Sequence, residues 1–127
     1  PPLLQEEDKR HPKLDKKFKN IDGNLPVGES LKNVINRLKP FWNEYFNNII
    51  RNGGSHLIIA HSNSLRAIVK ILDNLSDKEI MFINIPTGVP LVYIIDQNLN
   101  VMDKQYLIDK AQLKSKQETV KNQGKVK

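Results

Sequence analysis

The most informative stretch for chemistry is residues 60–67, where a histidine is followed by small polar residues. His61, Ser62, Asn63 and Ser64 all carry hydrogen-bond donors, and His61 adds a positive charge when it is protonated. Donors of this kind suit a phosphate or a phosphoryl group in transfer, because its oxygens accept hydrogen bonds and carry negative charge. The sequence therefore indicates an anion site centred on His61.

Two predicted elements position this stretch. Residues 57–60 form an unbroken apolar run, which predicts a strand buried on both faces of a parallel sheet. Leu65, Ile68, Val69 and Leu72 recur at helical spacing and predict a helix directly after the polar residues. Strand, short turn and helix form the βα unit of an α/β fold, whose ligands bind beyond the carboxyl ends of the strands. We therefore predict an α/β fold class.

A plainer interpretation of the same residues stays open beside the catalytic one. Asn63 or Ser64 caps the new helix, as such residues do routinely, and His61 only satisfies backbone groups. Arg66 lies one turn into the helix, and we interpret it as a structural ion-pair partner. Residue types alone do not separate an anion site from an ordinary helix cap.

The two other histidines give no support for a metal site. His11 lies in a polar segment, and His56 precedes the apolar run at the end opposite the expected site. Neither makes with His61 the close pair that metal ligand sets usually contain. The chain has no cysteine, which removes thiolate metal sites, disulfides and cysteine nucleophiles. We predict that no metal is bound, and a cytoplasmic location, since the polar N-terminus is unlike a signal peptide.

The chain of 127 residues carries a formal net charge of +6, which favours anionic partners. Its lysines are scattered with few aromatics among them, whereas surfaces that bind nucleic acid cluster basic residues and interleave aromatics. No apolar run approaches the roughly 20 residues that a membrane helix needs. We therefore predict a small anionic substrate, and neither nucleic acid nor a membrane as a partner.

The sequence divides into three predicted parts. Residues 1–28 are an irregular surface segment, residues 29–108 form the body of the α/β domain, and residues 109–127 form a C-terminal helix and a mobile tail. Within the body, the patterns predict a helix that begins at Ser30, is interrupted by Pro40 and stops at Gly53. The strand and helix described above follow it. A further helix capped at Ser76, a stiff loop over 85–90, and a hairpin of strands over 91–95 and 101–107 complete the body.

Five stretches in one order carry a family resemblance: residues 29–32, 40–43, 59–67, 84–93 and 122–125. They resemble motifs of the cofactor-dependent phosphoglycerate mutases, which belong to the histidine phosphatase superfamily. The resemblance covers essentially the whole chain and places it in the C-terminal half of that family.

The resemblance implies a phosphoryl-transfer chemistry. The family is an isomerase of glycolysis and gluconeogenesis that interconverts 3-phosphoglycerate and 2-phosphoglycerate through a phosphohistidine, with 2,3-bisphosphoglycerate as the priming cofactor. By motif, His61 is the second, catalytic histidine that stabilises the transferring group. Ser62 is expected to offer its backbone N–H to the phosphate, and Asn63 to line the substrate pocket.

The sequence also departs from the family pattern. It contains no Arg-His-Gly motif, which in the family carries the phosphorylated histidine, and the acid/base glutamate and the arginine pair belong to the same missing half. Ser62 stands where the family has glycine, and we expect its side chain to crowd the phosphate or restrict the backbone. Because one histidine and a helix end do not replace covalent catalysis, the chain alone is expected to be inactive.

The missing half also affects the expected fold. We expect a partial mutase-like sheet with flanking helices, without the N-terminal strand that carries the phosphohistidine. The strand over residues 57–60 then becomes an exposed edge, which is expected to be covered by the N-terminal half or by self-association. The alternative function is that of a non-catalytic phosphate-binding or interaction remnant of this fold.

Overall fold

A computed structural model of the chain describes residues 2–123. Its α-helices are α1 (Leu31–Phe41), α2 (Asn47–Arg51), α3 (Ser62–Leu72) and α4 (Lys110–Asn122), and its strands are β1 (Leu91–Ile95) and β2 (Val101–Tyr106). Short 3-10 turns occur at Pro12–Leu14, Lys16–Phe18 and Glu79–Phe82. The predicted α/β class is confirmed. The mobile tail predicted beyond α4 falls largely outside the described residues.

A long helical segment, made of α1, a π turn over Trp42–Phe46 and α2, passes through Pro40. Ser30 begins it with a capping box, because the Ser30 hydroxyl accepts from the Asn33 N–H at 3.2 Å and the Asn33 side chain accepts from the Ser30 N–H at 3.0 Å. Pro40 has no N–H for the regular bond to the carbonyl four residues earlier, and the wider turn follows directly after it. The helix ends as predicted, with Gly53 at φ +73°.

The core of the described structure lies between α1 and α3. Val34 and Ile35 of α1 are buried against Ala67 of α3, with Leu31 and Leu38 partly buried at its margin. Both helices carry the apolar stripe that their spacing predicted, so they pack through these faces. This packing fixes the N-terminal end of α3, where the candidate site lies.

The strand predicted over residues 57–60 is wrong, because these residues form no strand and are not buried. Leu57 and Ile59 are 84% and 86% exposed, and Ile58 is 37% exposed. A strand needs a neighbour to pair its backbone N–H and C=O groups, and none is paired with this run among the described residues. The sheet in the described part of the chain is a two-stranded antiparallel one, so the predicted parallel sheet is not formed either.

Strands β1 and β2 form the predicted antiparallel hairpin. Asp96 organises its turn by accepting hydrogen bonds from the Asn98 and Asn100 backbone N–H groups at 2.9 and 2.8 Å. The Asn100 side-chain amide donates to the same carboxyl group at 2.9 Å, and these hydrogen bonds lower the pKa of Asp96. Lys104 on β2 forms an ion pair with Asp73 at the end of α3, which fastens the hairpin to that helix.

The helix predicted after Ser76 is reduced to the 3-10 turn Glu79–Phe82. Its capping box is confirmed, with the Ser76 N–H donating to the Glu79 carboxylate at 2.7 Å and the Glu79 N–H donating to the Ser76 hydroxyl at 3.2 Å. The turn ends at Ile83, whose backbone is extended at φ −77° and ψ 120°. Ile85 and Pro86 are both buried, so the predicted loop over 85–90 is held in place.

The two ends of the chain differ from the body. Residues 2–29 contain no described helix or strand beyond two 3-10 turns. Helix α4 begins at its cap Asp109, whose side chain accepts from the Gln112 N–H at 2.9 Å, and none of its residues is buried. The division at residues 28 and 108 stays a prediction. None of the helices within residues 2–123 has the length and apolar character needed to cross a membrane.

Candidate functional site

His61 lies immediately before α3 and is its N-cap residue. Its backbone is extended, at φ −62° and ψ 147°, and its Nδ1 accepts from the Asn63 N–H over a long distance of 3.5 Å. A neutral imidazole whose Nδ1 accepts carries its proton on Nε2. Since the His61 side chain is exposed, this second nitrogen is free to donate to a ligand. The cap is therefore His61 itself, and not Asn63 or Ser64.

The first turn of α3 contributes backbone donors beside this imidazole. Ser62, Asn63 and Ser64 occupy the first helical positions, whose N–H groups have no acceptor in the helix backbone, and the first helical bond runs from the Leu65 N–H to the His61 carbonyl at 3.0 Å. The Asn63 N–H already donates to His61 Nδ1, so Ser62 and Ser64 supply the remaining donors of this helix end. The first turn contains no acidic residue. The aligned peptide dipoles add partial positive charge at this end. The imidazole and the helix end together provide hydrogen-bond donors of the kind that bind phosphate oxygens.

Ser62 begins α3 with an ordinary helical backbone. The described non-glycine residues with positive φ are Asn74 and Leu99, so Ser62 is not in the conformation that favours glycine. The expectation that a serine restricts the backbone here is therefore wrong. The difference from glycine that remains is the added hydroxymethyl side chain at the first residue of α3.

Arg66 positions one of the predicted site residues. Its Nη2 donates to the Ile80 carbonyl at 2.7 Å, and its Nη1 lies 3.5 Å from the Asn63 side-chain oxygen that accepts from it. No carboxylate among residues 2–123 forms a salt bridge with Arg66, so its interpretation as an ion-pair partner is wrong. Partial burial lowers the pKa of its guanidinium group. Asn63 and Arg66 are three residues apart on one face of α3, and this spacing is the sequence signal from which their contact could have been predicted.

The remaining candidates make no hydrogen bond to this site within residues 2–123. The His56 ring hydrogen-bonds the Gly53 carbonyl at 3.0 Å, and the buried His11 accepts from the Lys13 N–H at 3.2 Å. Thr87 is exposed and has no hydrogen bond to the site in the described part of the chain. Within residues 2–123, no group of three or more His, Cys, Asp or Glu side chains is arranged to hold a metal ion.

The chain has a curated relative of known identity. Over 128 aligned positions it is 48% identical to a 2,3-bisphosphoglycerate-dependent phosphoglycerate mutase from Treponema denticola. The alignment takes in all of this chain but 52% of the mutase, so the chain spans about half the length of its relative. No family model matches the chain. The similarity to the C-terminal half of such a mutase, indicated by the motifs, is confirmed.

Proposed function

We propose that this chain, which corresponds to the C-terminal half of a 2,3-bisphosphoglycerate-dependent phosphoglycerate mutase, supplies the anion-stabilising part of that enzyme's active site. The observation that carries the proposal is the exposed His61 imidazole at the N-terminus of α3. The 48% identity to a phosphoglycerate mutase supports phosphoryl transfer as the reaction in which this arrangement takes part. The reaction is the interconversion of 3-phosphoglycerate and 2-phosphoglycerate, two small anions of the kind that a donor-rich helix end attracts.

Each site residue has a separate role in the proposed reaction. The His61 Nε2–H donates to an equatorial oxygen of the phosphoryl group in transfer, where negative charge must be neutralised. The Ser62 backbone N–H donates to the same group from the helix end. The Asn63 side chain, which accepts a long 3.5 Å hydrogen bond from Arg66, is proposed to line the substrate pocket. These three residues bind and orient, and none of them carries the phosphoryl group covalently.

The rest of the reaction needs groups that this sequence does not contain. With no Arg-His-Gly motif present, the chain lacks the phosphorylated histidine of the family, and we propose that it does not turn over substrate alone. The polypeptide that corresponds to the other half of the relative supplies the phosphoryl carrier, which 2,3-bisphosphoglycerate primes. A cytoplasmic location belongs to the same proposal, since the reaction is a step of glycolysis.

A non-catalytic phosphate-binding role is the second candidate. The observation in its favour is that His61 and the helix end stand together in a sequence that contains no Arg-His-Gly motif. This role predicts phosphate binding that depends on His61, and no turnover when the other half is added.

Phosphate binding by the chain alone tests both candidates. We expect inorganic phosphate and 3-phosphoglycerate to shift the backbone amide resonances of residues 61–64 in NMR titrations. The His61→Ala variant is expected to weaken binding by about tenfold, because it removes one hydrogen bond to a charged group.

The His56→Ala variant is the matched control, since His56 is also exposed and its ring bonds only the nearby Gly53 carbonyl. It is expected to bind phosphate as the unaltered chain does. Equal weakening in both variants, or shifts that are absent from residues 61–64, would place the anion elsewhere and contradict the proposed site.

A further inference from the structure

Asn63 connects the Arg66 side chain to the His61 imidazole. The Asn63 Oδ1 accepts from Arg66 Nη1 at 3.5 Å, and the Asn63 backbone N–H donates to His61 Nδ1, also at 3.5 Å. Both contacts are long for hydrogen bonds, but the first joins a full positive charge to a polar amide. The side chain of Asn63 is therefore next to a guanidinium group, while its backbone is next to the imidazole.

The guanidinium group of Arg66 is itself held in place. Its Nη2 donates to the Ile80 carbonyl at 2.7 Å, and its Nε is buried without a hydrogen-bond partner in the described part of the chain. No carboxylate within residues 2–123 forms a salt bridge with it. The positive charge is therefore fixed beside Asn63, and no ion pair with an acidic side chain neutralises it there.

This charge determines which way the Asn63 amide is turned. An amide has an acceptor oxygen on one side of its carbon and a donor nitrogen on the other, whereas a guanidinium group has donors only. The oxygen is attracted to Arg66, while the nitrogen would bring its own donors against a positive charge. Asn63 Nδ2 therefore points away from Arg66. It donates to no group within residues 2–123 and is not one of the buried unpaired atoms, so it is open to a ligand.

We propose that Arg66 is a positioning residue of the anion site, because it turns the Asn63 amide so that the nitrogen, and not the oxygen, meets the ligand. This inference rests on the proposed phosphate site at His61. With the amide in this orientation, His61 Nε2–H and Asn63 Nδ2 both offer donors to the ligand. The reverse orientation would set an acceptor against the phosphate oxygens. Arg66 thereby favours inorganic phosphate and phosphate esters, whose oxygens accept hydrogen bonds, over cations.

A double-mutant cycle in the binding of inorganic phosphate, measured by NMR titration, tests this role. Arg66→Met and Asn63→Ala are each expected to weaken binding by about tenfold, because each removes the oriented donor. In the Asn63→Ala background, Arg66→Met is expected to weaken binding by no more than about twofold, since no amide is left to orient. Circular dichroism verifies that each variant is folded.

A second readout needs no change at Arg66: the two side-chain N–H resonances of Asn63 are expected to shift when phosphate is added to the unaltered chain. Arg37→Met is the matched control, since Arg37 pairs with Glu29 on the surface, and it is expected to leave phosphate binding unchanged. Equal weakening by Arg66→Met in both backgrounds, or unshifted Asn63 side-chain resonances, would overturn the proposal. If His61→Ala weakens binding while the cycle shows no coupling, the phosphate site is retained and only the role of Arg66 is wrong.

Discussion

Replacing His61 by alanine is expected to lower mutase turnover by about 10²–10³-fold once the other half of the enzyme is supplied. The assay combines this chain with a polypeptide that has the sequence of the uncovered part of the Treponema denticola mutase. It measures the conversion of 3-phosphoglycerate primed with 2,3-bisphosphoglycerate. The loss is large because His61 is proposed to donate to oxygens whose charge develops during phosphoryl transfer.

The effect is expected in kcat more than in KM, since a donor that acts mainly in the transition state contributes little to substrate binding. His56→Ala gives the comparison, because it removes an exposed imidazole that is not at the end of α3. Its turnover is expected to stay close to that of the unaltered pair. A near-normal kcat in the His61→Ala variant would show that His61 does not stabilise the transition state of phosphoryl transfer.

Replacing Arg66 by methionine is expected to lower the free energy of unfolding by about 1–3 kcal/mol. Methionine fills much of the same space but has no donor, so the Ile80 carbonyl loses its 2.7 Å hydrogen bond from Arg66 in a partly buried setting. The contact between α3 and the turn after Ser76 weakens with it. Urea unfolding followed by circular dichroism measures the change.

Arg37→Met is the control variant, because it removes an arginine side chain and its charge without removing the hydrogen bond to the Ile80 carbonyl. Arg37 forms an exposed ion pair with Glu29, and such pairs contribute little to stability because water and salt screen the two charges. The Arg66 variant is also expected to weaken phosphate binding, because Asn63 loses the group that holds its side chain. Equal stability of the two variants would show that the Arg66 contacts contribute no more than a surface pair.

The elements that sequence patterns predicted correctly are those whose causes are local. The helix start at Ser30 and the capping box at Ser76 are both confirmed, and each is set by a residue three positions further on. Helix α3 follows from its apolar spacing, and the hairpin turn from the side chain of Asp96. A local hydrogen bond or apolar stripe acts whatever the rest of the chain does.

The failures depend on contacts between distant parts of the chain. The apolar run over residues 57–60 has the composition of a central strand, but a strand forms only when another segment pairs with it. No described segment does so, which leaves this run exposed. Arg66 was misassigned because its partner, the Ile80 carbonyl, lies in another element. Sequence spacing identified the donor but gave no information on which acceptor the fold brings to it.

The candidate site depends partly on local sequence and partly on contacts that the sequence does not specify. His61, Ser62 and Asn63 are consecutive, so their grouping at the start of α3 could be predicted from the sequence. The catalytic role that we propose for them requires groups that this sequence does not contain. The chain spans 52% of the mutase that it matches, and we propose that the phosphoryl carrier belongs to the other part of that relative.

The most direct test of the central claim is mutase turnover of 3-phosphoglycerate by this chain alone, primed with 2,3-bisphosphoglycerate, and again after the other half is added. We predict no turnover by the chain alone and turnover by the combined halves. Turnover by the repurified chain alone, abolished in His61→Ala, would contradict the account, because His61 would then do more than stabilise a phosphoryl group carried elsewhere.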